Sequence, residues 1–69
     1  MYSEKIQKEA QYLLEKFDDN IEHALGCANE CYIALSQLPH INEEVSNEIY
    51  KQLDFYRDVL EELNEMQWT

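Results

Sequence analysis

The sequence predicts an all-α protein, an antiparallel hairpin of two long helices, and three observations lead there. An apolar seam of Leu14, Phe17, Ile21, Ala24, Ala28, Cys31, Leu35 and Leu38 runs through the first half in alternating steps of three and four. Val45, Ile49, Gln52, Tyr56, Val59, Leu63 and Met66 repeat that spacing in the second half. Such a period belongs to helices that pack along their length. The only proline, Pro39, lies between the two halves.

Helix 1 is predicted from about residue 3 to 37. Ser3 is a good N-cap, and Glu4 sits in the first turn, where it complements the helix dipole. Unbroken, this helix would be roughly 52 Å long at 1.5 Å per residue. The alternative is a three-helix bundle with a break near 18–20 and elements at 3–17, 20–37 and 43–67. Asp18-Asp19-Asn20 can cap, and Asp19 with Glu22 has the spacing of a capping box. No Gly or Pro falls at 18–20, and the seam keeps its phase there, so the continuous helix is the expectation. Gly26 points away from the seam, where it costs roughly 1 kcal/mol relative to Ala.

The turn is predicted at 38–41. Pro39 cannot continue a helix, and it pushes Leu38 out of the α region. Asn42 then caps helix 2, about 42–67, with Glu43 and Glu44 in its first turn. A short connection makes the helices antiparallel neighbours, with residue i roughly opposite residue 80 − i. That register puts Lys16 near Glu62 and Glu65, and Lys51 near Glu30.

The chain, 1–69, is one domain at most. A core this small seldom supplies more than about 3–5 kcal/mol without a staple or a partner. Two helices cover only one stripe of each other. Completion to a four-helix bundle, by dimerisation or by a partner, is therefore expected. Leu13, Leu25, Tyr32, Leu53 and Leu60 flank the seam and are the expected self-association face.

Charge sets the functional reading. Fifteen Asp and Glu against five Lys and Arg give a net charge of −10. Such a surface repels nucleic acid and anionic membranes. It favours a basic partner, because opposite fields speed encounter. No apolar run is long enough to span a membrane, the N-terminus does not read as a secretory signal, and two thiols suit a reducing cytoplasm. Near the end of helix 2, Asp58, Glu61, Glu62 and Glu65 oppose the dipole, an arrangement that stability alone would not select.

The expected function is a small acidic cytoplasmic interaction module, an adaptor or inhibitor that covers a basic, nucleic-acid-binding type of surface on another protein. The expected contacts are Tyr50, Asp54, Asp58, Glu61, Glu62, Glu65 and Trp68, with Tyr and Trp as anchors. A homodimeric assembly bundle is the first alternative. A metal or thiol site at His23, Cys27 and Cys31 is the second, since i, i+4 and i+8 share one edge of a helix and these are ligands that zinc and Cu(I) prefer. A helical hairpin offers little concavity for a nucleophilic thiol, so neither enzyme activity nor a cofactor is expected.

Overall fold

Three capping residues start three helices. In the computed structural model, which describes residues 3–67, these are α1 (Glu4–Lys16), α2 (Ile21–Ser36) and α3 (Glu43–Gln67). The Ser3 hydroxyl accepts from the Ile6 amide at 3.4 Å. Asn20 Oδ1 accepts from the His23 amide at 3.1 Å, and Asn42 Oδ1 from the Val45 amide at 2.8 Å. Each side chain satisfies one of the amides that a helix start leaves without an intrahelical partner. All described elements are helical.

The continuous first helix is the main correction. The chain breaks at Phe17-Asp18-Asp19-Asn20. Asp18 and Asp19 hold φ of 53° and 62°, in the left-handed region. The Asp19 amide donates to the Leu14 carbonyl at 2.7 Å and the Asp18 amide to the Glu15 carbonyl at 3.3 Å. This six-to-one and five-to-two pair is a Schellman stop, usually made with glycine. Asp tolerates the left-handed conformation better than most residues with a Cβ, so here an Asp pair replaces the missing glycine. The Asp18–Asp19 pair therefore closes the stop beyond the Phe17 C-cap of α1, and Asn20 rather than Asp19 caps α2.

The break lets α1 fold back as a third layer. Ile6, Ala10 and Leu13 of α1 meet Ala24 and Ala28 of α2 and Val59 and Leu63 of α3 in one core. Lys5, near the start of α1, lies over the Phe55 ring at 5.7 Å. At the other end of α1, Leu14 and Asp19 share a groove with Met66. So α1 runs in the same direction as α3, and α2 runs between them in the opposite sense. The alanines have no exposed surface, which lets α2 approach its neighbours closely. Val59 and Leu63 are fully buried; burial of each such side chain contributes about 1.5–3 kcal/mol.

Two further expectations change. Cys31, expected opposite Ile49, instead lies within hydrogen-bonding reach of the Tyr56 hydroxyl, about two turns further along α3. The connection after Ser36 is not a tight turn. It lies along the first turns of α3, where His40 Nδ1 is 2.8 Å from Ser46 Oγ and the His40 ring packs on Tyr50 at 5.4 Å. Lys51 accordingly pairs with Glu48 in its own helix at 3.7 Å rather than with Glu30, and Lys16 lies over the Phe17 ring at 5.7 Å. Gln52, read as part of the seam, is exposed; Ile49, half-buried Leu53 and Tyr56 carry the inner face at that level.

Candidate protein-binding surface

The third helix takes up much of the face expected to pair two hairpins. Leu13 is 4 % exposed in the core, and Leu25 and Leu60 pack against it. Tyr32 and Leu53 are half-buried. Leu13 is thus not part of a surface, because α1 turns it inward against α2 and α3.

The surface that remains is defined by charge. On α3, eight acids face two cations, which leaves that helix at −6 of the chain's −10. The cations are all engaged locally. Lys8 pairs with Glu4 at 3.2 Å and Lys51 with Glu48 at 3.7 Å. Arg57 reaches Asp54 at 3.5 Å and Asp58 at 3.8 Å. Lys5 and Lys16 lie over aromatic rings. Exposed pairs of this kind contribute only about 0–1 kcal/mol each to stability, but they tie the positive charge to particular places.

Of the expected contacts, Tyr50, Asp54, Glu61 and Glu65 are exposed, and Asp58 and Glu62 are half-buried. Helical spacing runs Tyr50, Asp54, Asp58, Glu61 and Glu65 along one side of α3. Arg57 sits within that row and partly neutralises Asp54 and Asp58. Trp68 lies outside the described residues.

His23, Cys27 and Cys31 do not converge as a ligand set. Among the described residues, no group of three or more His, Cys, Asp or Glu is placed to hold a metal ion. His23 instead meets the Phe17 ring edge-on at 6.1 Å. Cys27 and Cys31 are unpaired thiols, both half-buried. Burial pushes the Cys31 thiol above its ordinary value; Cys27 and Glu9 add to the effect, and a hydrogen bond from Tyr56 opposes it. Burial likewise raises Tyr56, with Cys31 and Glu9 reinforcing it. Both groups are held neutral, the opposite of an activated nucleophile.

Sequence patterning missed two features. One is an open groove of about 510 Å³ between α1 and α3, lined by Lys5, Glu9, Glu48, Lys51, Gln52 and Phe55. The other is the end of the bundle where the α2–α3 connection lies. Leu38 is 46 % exposed, Ile41 73 % and Tyr50 57 %. Its signal was present in the sequence: two apolar residues flank Pro39-His40 in a segment read only as a turn.

Set beside known proteins, the chain matches no family model, no curated protein and no solved structure. The functional reading therefore rests on this geometry alone. Among the described residues, no helix is long and apolar enough to cross a membrane.

Proposed function

We propose that this chain is a small acidic protein–protein interaction module, an adaptor or inhibitor that covers a basic surface on a different protein. The observation that carries the reading is the charge distribution: α3 holds −6, and all five cations are engaged against neighbouring carboxylates or rings. A field of one sign accelerates encounter with an opposite surface and suppresses wrong partners. Rows of carboxylates on a helix also present charge as a phosphate backbone does, so nucleic-acid-binding proteins are the natural class of target. The unpaired thiols suit a cytoplasmic setting.

The test is retention of host-cell proteins on immobilised chain, read as a function of salt. The Glu61→Gln, Glu62→Gln, Glu65→Gln triple variant is run beside it. The proposal predicts a retained basic protein whose association slows in the variant and whose salt dependence flattens. Retention that is equal for the variant and insensitive to salt would remove it.

A further inference from the structure

One end of the bundle is unfinished. α1 accompanies α3 from Lys5, over the Phe55 ring, to the level of Met66, and the open groove between the two helices reaches back to Glu48. The α2–α3 connection lies along the first two turns of α3, held there by His40 against Ser46 and Tyr50. Ile49 is buried, 4 % exposed, yet it stands outside the main core cluster. Five large apolar side chains are exposed among the described residues, and three of them, Leu38, Ile41 and Tyr50, fall within residues 38–50. A fourth, Ile33, lies one turn from the end of α2, toward the same end. Soluble surfaces scatter such residues singly; a group of them marks a contact site.

Charge decides what can cover this end. Residues 38–50 contain Glu43, Glu44 and Glu48 and no Lys or Arg, and all three carboxylates are on exposed residues. Lys51, the next residue, is paired with Glu48. A second copy would bring −10 against −10 and set these same glutamates against each other. An anionic lipid surface or nucleic acid meets the same repulsion.

We infer that the Leu38–Ile41–Tyr50 end of the bundle is a docking face for a basic amphipathic segment of another protein, one with apolar side chains a helical turn apart and Lys or Arg beside them. The inference rests on the acidic-module reading and adds where, and to what, the module binds. The apolar side chains of the segment cover Leu38, Ile41 and Tyr50, and its cations meet Glu43, Glu44 and Glu48. Pro39 and the His40 contacts hold the connection in place before binding, which lowers the ordering cost. The face is small, so the contact belongs with weak, transient interfaces.

The experiment is NMR titration of the full isotope-labelled chain with three synthetic peptides: a helical Leu/Lys amphipath, its Leu/Glu counterpart and an oligolysine matched to the first in charge. The Leu/Lys peptide is expected to shift the amides of residues 37–50 first and most. Ile41→Asn, at an exposed position, should weaken it about tenfold without changing the melting temperature. The Leu/Glu peptide should not bind, and oligolysine should bind more weakly and diffusely. Shifts that avoid residues 37–50, or full affinity in Ile41→Asn, would overturn the docking face while leaving a salt-dependent acidic module standing. Concentration-dependent shifts at these residues without peptide would assign the face to a second copy and overturn the inference. Failure of both cationic peptides to bind would overturn the acidic-module reading itself.

Discussion

Asp18 offers a perturbation whose sign depends on the fold. It holds φ of 53° just past the end of α1, and its amide closes the stop onto the Glu15 carbonyl. A left-handed conformation costs an ordinary L-residue about 1–2 kcal/mol, somewhat less for Asp. Glycine removes that cost but loses about 0.5–1 kcal/mol more chain entropy on folding. Asp18→Gly also takes a carboxylate away from a helix C-terminus, worth about 0.3–1 kcal/mol. The balance is a gain of about 0.5–1 kcal/mol. In a domain of this size that raises the melting temperature by roughly 2–8 °C. Asp18→Ala keeps the Cβ without the tolerance of Asp for this region and should lose about 1 kcal/mol. Within an unbroken helix the order would reverse, because Ala is the best helix former and Gly among the worst. Thermal melts of the two variants by circular dichroism decide the matter. Ala above wild type with Gly below it would refute the break and the third helix with it.

Gly26 is exposed on α2, and a Cβ there meets nothing within 4 Å, so Gly26→Ala should stabilise by about 1 kcal/mol, read as a shift in the urea midpoint without a change of slope. Leu63 is fully buried, and Leu63→Ala should cost about 2–5 kcal/mol, comparable with the whole stability of a core this size; a well-folded variant at 37 °C would contradict the assigned core. Cys31 and Tyr56 hold their protons more tightly in the folded chain than outside it, chiefly through burial. Their contribution is complete below the ordinary thiol range and is lost as pH rises through and above it. Stability should therefore fall on the alkaline side, and Cys31→Ala should flatten that fall in a pH series of melts. A Cys31→Ala profile as steep as wild type would count against it.

Much of the fold was legible because its signals are local. Ser3 and Asn42 cap where their residue type and position suggest, and Pro39 falls in the connection between α2 and α3. The break at 17–20 was not, for a physical reason. The stop uses two Asp residues in a conformation that sequence patterns assign to glycine. The stop and the following cap also occupy about one helical turn of chain, so Leu14, Phe17, Ile21 and Ala24 keep their spacing across it. Once the break is missed, two errors follow together: Leu13 is read as surface, and the α2–α3 register slips. The acidic character of α3 was readable from composition. The engagement of Asp54 and Asp58 by Arg57, and the exposure of Leu38 and Ile41 beside Tyr50, depend on side-chain placement that spacing alone does not determine.

The most direct test of the account is the mass of the reduced chain in solution, by light scattering over a hundredfold concentration range at physiological salt. A bundle of three helices whose core is filled by its own side chains, and which carries −10, should remain a monomer of 8.3 kDa throughout. A dimer that persists at the lowest concentration would contradict it, because the open end of α3 would then already be covered by a copy of this same chain.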